Sequence, residues 1–311
     1  MSSNTSAGAG SSFGTGLPGA SLDLGGRSRP VENVIRTVLF ASAALSVLIT
    51  LGIVIALVRP VVDFFGEVPF GEFFGTEGPL AVLPLISATL VVTAIAMVVA
   101  IPLGLGAAMY LSEYASFRVR RMLKPTLELL AGVPSVVYGF FALAFVTPTL
   151  LQDLLSLDVN FTNALSAGLV LGVMIIPTIA SLAEDALSAV PQAMRQGSLA
   201  MGANRMQTTL RVVLPAALSG VAAAVVLGLS RAVGETMIVA LAAGAQKNLS
   251  LNPSEGMQTM TGFIAQTAGG ENPVGSTSYN MLFAVGLTLF VITLVINIVS
   301  ISIVRRFRQA Y

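Results

Sequence analysis

Arg231 and Glu235 stand four residues apart in "LSRAVGETMIV", a stretch that starts at Leu229 and carries no other charge. A guanidinium is a permanent cation whose planar donors suit oxyanions, and on a helix a carboxylate four residues further on shares its face. Two roles are open. The pair can neutralise itself or link helices as a structural ion pair, although Arg before Glu is the weaker order for a helical pair. Alternatively, the guanidinium lines a path and meets an anion in passing, with Glu235 positioning it and limiting how tightly the anion is held. Gly234 allows close backbone approach, and Thr236 adds a hydroxyl. More hydroxyls lie in "LLAGVPSVVYGFFAL". There Pro134, with Gly132 and Gly139 nearby, predicts a kinked or unwound helix. Ser135 and Tyr138 either supply donors to an anion path or bond the carbonyls that the kink frees.

Other chemistry is excluded by what the chain lacks. It has no Cys and no His, which removes thiol nucleophiles, disulfides, zinc sites and imidazole acid/base catalysis. No G-x-x-x-x-G-K-[ST] phosphate loop occurs, and neither lysine, Lys124 or Lys247, has such a setting. Any nucleotide chemistry therefore belongs to another chain.

The 311 residues are 55% hydrophobic and 10% charged, with mean hydropathy +0.86, which marks an integral membrane protein. A bilayer core about 30 Å thick takes roughly 20 helical residues to cross. Six apolar runs meet that length: Val34 to Val58, Pro79 to Leu111, Leu123 to Pro148, Asn163 to Ala183, Val213 to Gly244 and Asn280 to Val304. The fold class expected is all-α, a six-span polytopic bundle. The second and fifth runs exceed one crossing, which predicts tilt, an interfacial extension or a break.

Alternate connections are basic: Arg27, Arg29 and Arg36; Arg118, Arg120, Arg121 and Lys124; Arg195, Arg205 and Arg211; then Arg305, Arg306 and Arg308. Those between are acidic or nearly uncharged. By the positive-inside rule both termini are cytoplasmic. Residues 1–30, rich in Gly and Ser, read as a disordered cytoplasmic tail, and 31–311 as the membrane domain. The first outer connection, "DFFGEVPFGEFFGTEGP", suits the headgroup zone or a docking surface. Glu128 is expected to cap a helix or pair with a basic loop residue near the cytoplasmic end of span three. Arg231, sixteen residues beyond Pro215, lies about 24 Å along a helix entering from the cytoplasm, near or past the midplane. A central Arg costs about 2.5–3.5 kcal/mol, so it is expected to face protein or water rather than lipid.

The cytoplasmic segment 184–215, "EDALSAVPQAMRQGSLAMGANRMQTTLRVVLP", is broken by Pro191 and again at Gly202, where a positive φ is expected. Two short helices and a tight turn follow. Gly202, nine residues, then Val212-Val213-Leu214-Pro215 resembles the second half of the coupling loop of bacterial ABC-importer permeases, E-A-A-x3-G-x9-I-x-L-P. In place of E-A-A stand Gln196, Gly197 and Ser198, so the charged contact of that loop's Glu to the ATPase is replaced by at most a neutral hydrogen bond. "RAVGETM" and "LLAGVPSVVYGFFAL" resemble the phosphate-specific permeases, and Met237-Ile238-Val239 after Thr236 is similar to the PstC type.

The resemblance, which covers roughly Arg36 to the C-terminus, implies a type I permease of a bacterial inner membrane. It implies a PstA-like second permease, a dimer of ATPase subunits that carry ATP and Mg, and an extracytoplasmic phosphate-binding protein, with lipid around the spans and no nucleic acid. It also implies that Gln196, Gly197, Ser198, Gly202, Leu214 and Pro215 form the ATPase-coupling segment, and that no cofactor or metal is held by this chain. The competing readings are a permease for another oxyanion or small solute, an ATP-independent secondary transporter in which Arg231 and Glu235 relay charge, and an intramembrane protease, which would need a His or G-x-G-D constellation that is missing.

Overall fold

The computed structural model describes residues 30–306, with side-chain surroundings for 32–302. The tail expected over residues 1–30 lies outside the described residues except for Pro30. Every regular element among those described is helical. Five helices are long and apolar enough to cross a membrane, and six when one bent pair is counted as a span.

The first helix, α1 (Pro30–Glu67), contains the boundary between two compact units, Met1–Ile53 and Val54–Tyr311. In the first unit α1 exposes apolar side chains such as Leu39, Phe40 and Leu48, the composition of a helix made for an apolar solvent. In the second unit the chain continues through α2 (Phe70–Phe73) to α3 (Leu83–Met109), which is prolonged by a π-helical turn, Tyr110–Tyr114. α4 (Phe117–Ala131) and α5 (Ser135–Phe141) follow, the latter continued by a π-helical stretch, Ala142–Leu154, and then α6 (Ala164–Ser188). After α7 (Gln192–Ala200) and α8 (Arg205–Thr208), a π-helical turn leads to α9 (Leu214–Ala216), α10 (Leu218–Gly234) and α11 (Met237–Ala242). The chain closes with α12 (Met260–Ala268) and α13 (Thr277–Arg306).

α3 and α6 form the axis of the second unit and share its most extensive helix–helix contact. Small residues let their backbones approach. A Cβ at Gly172 would stand 2.8 Å from the Ala96 carbonyl oxygen, and one at Gly168 would stand 2.7 Å from the Ile95 side chain. Gly168 and Gly172 form a G-x-x-x-G pair, the spacing by which helices pack closely in lipid. Gly172→Val is expected to cost about 1–3 kcal/mol by overpacking, seen as a lower melting temperature in detergent.

One expectation about the spans changes, the third, and the break expected in the fifth is present. The third run, Leu123 to Pro148, is not one helix: the chain unwinds at Gly132–Pro134, and the apolar helix runs over Ser135–Leu154. Its first part belongs to α4, an amphipathic helix that carries the Arg/Lys cluster and is capped by Ser116. The reason is ionic. Arg120 and Lys124 bind Glu184 at the end of α6, a carboxylate with 0% side-chain exposure, and Lys124 also binds Asp185. Glu128, expected to cap a helix or pair with a basic loop residue, is exposed on α4 and does neither among the described residues. The fifth run, Val213 to Gly244, contains breaks. Arg205–Ala216 and Leu218–Gly234 meet at 74°, and the helix stops again before Met237.

The aromatic connection is partly core. Phe64 and Phe73 are fully buried with Val82, Leu85, Met260 and Phe263, and only Phe70 and Phe74 are exposed. The polar connection after α11 folds back over the start of α6, whose first amides donate to the carbonyls of Pro253 and Glu255 and to the Asn163 side chain. Within it the Lys247 ammonium sits 4.3 Å from the centre of the Phe263 ring and donates to the Pro79 carbonyl. Burial lowers its pKa from 10.5 to about 8. Between those two values the unfolded chain binds the extra proton, so the Lys247 contribution to stability rises with pH across that window and is smallest below it. Lys247→Met is expected to remove this rise from a melting series run from neutral to alkaline pH.

Candidate functional site

Arg231 and Glu235 are not a pair in space. α10 ends at Gly234, and Glu235 leaves it with extended backbone, φ −66° and ψ 134°. The two side chains therefore do not share one helix face, and no ion pair joins them. The Glu235 carboxylate turns forward and accepts from the amides of Met237 at 3.1 Å and Ile238 at 3.5 Å, capping the first turn of α11. Its own carbonyl accepts from the Thr261 hydroxyl at 2.6 Å, which ties the break to α12. Arg231 remains on the exposed face of α10, in a stripe with Ala223, Leu227 and Gly234. With Glu235 occupied elsewhere, the guanidinium has no carboxylate partner among the described residues. Counted from the start of α10 after the bend, it lies about 20 Å along the helix. Thr236, half-buried, directs its hydroxyl to the Gly234 carbonyl at 3.3 Å.

The second string lies beside the first because α5 packs against α11. Gly139 permits this, since a Cβ there would stand 2.8 Å from Leu241 Cδ1 and 3.3 Å from the Met237 carbonyl oxygen. The Tyr138 hydroxyl bridges the unwound turn to the Leu130 carbonyl at 3.2 Å, and its ring lines an apolar recess of about 260 Å³ with Phe141, Phe145 and Val173. It thus bonds a carbonyl that the break frees, whereas Ser135, at the first position of α5, is half-exposed and keeps its hydroxyl unengaged among the described residues.

At the basic end, segment 184–215 has the two helices and the turn expected of it. Gly202 has φ +87°, the left-handed conformation that closes α7, and Asn204 with Gln207 forms a reciprocal capping box for α8. Gln196 and Gly197 are exposed on α7. Ser198 is half-buried and bonds Thr208 at 2.9 Å, holding the two short helices together. Met201 projects from the turn with 89% exposure, flanked by exposed Leu199 and Met206. Leu214 packs with Val213, Leu187 and Val190, while Pro215 is exposed at the bend.

The sequence reading missed the residue that holds this segment down. Arg195 is buried and meets Glu113, at the end of α3, through Nη2 and Nε at 2.9 and 3.1 Å. The signal available was charge balance: Glu113, Glu184 and Asp185 are acids next to the basic connections, and buried charges require partners.

Residues 100–310 match the family described as binding-protein-dependent transport system inner membrane component. The chain belongs to this family. It is 39% identical over 213 residues to the probable ABC transporter permease protein YqgH of Bacillus subtilis, covering 68% of each chain. It is 37% identical over 259 residues to the phosphate transport system permease protein PstC 1 of Mycobacterium tuberculosis, covering 76% of this chain and 74% of that one. The crystal structure of a bacterial alginate ABC transporter, in complex with a periplasmic protein bound to alginate pentasaccharide, contains a chain that superposes with a TM-score of 0.64 at 17% identity, over 91% of this permease and 99% of that chain. The architecture is that of a type I ABC-importer permease, and the protein is a multi-pass inner-membrane transport component.

Proposed function

We propose that this permease is the PstC-type membrane subunit of an ATP-driven phosphate importer. It forms the translocation path with a PstA-like second permease and receives phosphate from an extracytoplasmic binding protein. The observation that carries the solute is the likeness to a phosphate transport system permease over three quarters of both chains. Arg231 supports it, as a cation held on an exposed helix face with its nearest acid in sequence diverted to capping. A monoanionic or dianionic phosphate fits the guanidinium fork, and a neighbouring chain that closes over this face supplies the opposite wall.

In this reading both termini are cytoplasmic, and segment 184–215 docks on a dimer of ATPase subunits that bind ATP and Mg. The residues meeting the ATPase are Gln196, Gly197, Met201 and the Gly202 turn, with Ser198, Leu214 and Pro215 shaping the segment from behind. ATP binding and hydrolysis on the partner drive alternating access. The test is uptake of radiolabelled phosphate by the complex reconstituted with its ATPase and binding protein, competed with sulfate and with molybdate. Saturable uptake that needs ATP and is displaced by neither competitor is expected. Preference for another anion transfers the site to that oxyanion, and uptake without ATP rejects the reading.

A further inference from the structure

The contact between Arg195 and Glu113 carries an inference that rests on the proposed function and extends it. Side-chain exposure is 10% for Arg195 and 8% for Glu113. Each nitrogen of the guanidinium is used: Nη2 and Nε on Glu113, Nη2 also on the Leu187 carbonyl at 2.8 Å, and Nη1 on the Val190 carbonyl. One side chain thus fastens α7 to the end of α6 and to the π-helical turn that ends α3. A weaker tie runs parallel to it, the Arg205 guanidinium 5.9 Å from the centre of the Tyr114 ring.

Apolar packing would hold a short surface helix in place, and burying an ion pair is an expensive way to do only that. A forked, fully engaged guanidinium differs from apolar contact in being directional, so the groups it joins cannot slide past one another. The elements it joins are those that matter for coupling. The outer side of α7 and its turn carries exposed Gln196, Gly197, Leu199 and Met201, and α3 and α6 are the axis of the bundle, with α10, which carries Arg231 on its exposed face, packed on both. We infer that the Arg195–Glu113 pair is a positioning contact that transmits displacement of the ATPase-docking segment to α3 and α6, so that ATP hydrolysis and anion movement remain linked.

Uptake of phosphate per ATP hydrolysed is measured for the complete complex in proteoliposomes, with wild type, Glu113→Gln, Glu113→Asp and the double variant Glu113→Gln/Arg195→Gln. Glu113→Gln is expected to keep its ATPase subunits and its hydrolysis while uptake per ATP falls about tenfold. Glu113→Asp, which retains the charge, is expected to stay within about threefold of wild type. The double variant, which also gives up the Arg195 bonds to the Leu187 and Val190 carbonyls, should lose at least as much coupling as Glu113→Gln alone. An unchanged uptake-to-hydrolysis ratio, even with a lower melting temperature, would overturn the inference and leave the pair a purely structural one. Loss of the ATPase from the purified Glu113→Gln complex would also overturn it, since the pair would then shape the docking face. A wild-type complex that moves no phosphate refutes the functional reading itself, whereas an active wild type with an equally coupled variant refutes the inference alone.

Discussion

Arg231→Gln is expected to reduce anion uptake about 30-fold or more, because losing one partner of a hydrogen-bonded charge contact costs about 2–5 kcal/mol. Membrane insertion and retention of the ATPase are expected to stay at wild-type levels. The separation follows from placement: Arg231 is on the exposed stripe of α10, whereas the buried side of that helix, Val221, Ala224, Gly228 and Ala232, carries its packing. Among the described residues Arg231 has no carboxylate to leave stranded, since Glu235 caps α11 through the amides of Met237 and Ile238. Arg231→Lys keeps the charge but loses the fork, so it should fall between the two. Radiolabel uptake alongside co-purification of the ATPase measures both sides. Wild-type uptake by Arg231→Gln would remove the guanidinium from the path.

The second large effect is expected at Gly202. Nothing lies within 4 Å of a Cβ built there, so bulk alone is harmless at this turn, and the constraint is the backbone, at φ +87°. A β-branched residue in the left-handed region costs at least about 1–2 kcal/mol, enough for the turn to open and for Met201 and Gln196 to leave the positions in which they would meet a partner. Gly202→Val is therefore expected to lower recovery of the ATPase about tenfold. Gly202→Asn, which tolerates this φ, should nearly retain it. Equal recovery with both variants would detach the turn from docking.

Much of this was legible in one dimension, because the physics that sets it is local. Apolar runs long enough to cross a bilayer mark the spans, Pro191 and Gly202 punctuate the coupling segment, and Pro134 with Gly132 marks the unwound turn before α5. What was not legible depends on residues distant in the chain. An i, i+4 reading of Arg231 and Glu235 assumes that the helix continues, yet it ends at Gly234, where a carboxylate cap and the Thr261 hydroxyl stabilise the break. α4 read as the start of a span because its leucines are apolar, and only Glu184, sixty residues from Lys124, reveals which face is turned inward. Arg195 and Glu113 are 82 residues apart, and nothing in either local string announces the other. α12 lies between the fifth and sixth apolar runs and is too short to register as a span; its local signal is Thr259 before "MTGFIAQTA", a helix-capping residue whose hydroxyl accepts from the Gly262 amide.

Anion passage beside Arg231 requires that water reach its side chain. The chain contains no cysteine, so Arg231→Cys introduces a single thiol whose surroundings can be read by its reactivity. In the assembled complex, labelling by a small, charged, membrane-impermeant thiosulfonate is expected, slowed when phosphate is present. Labelling by a lipid-soluble maleimide alone, indifferent to phosphate, would place position 231 against acyl chains and remove it from a translocation path.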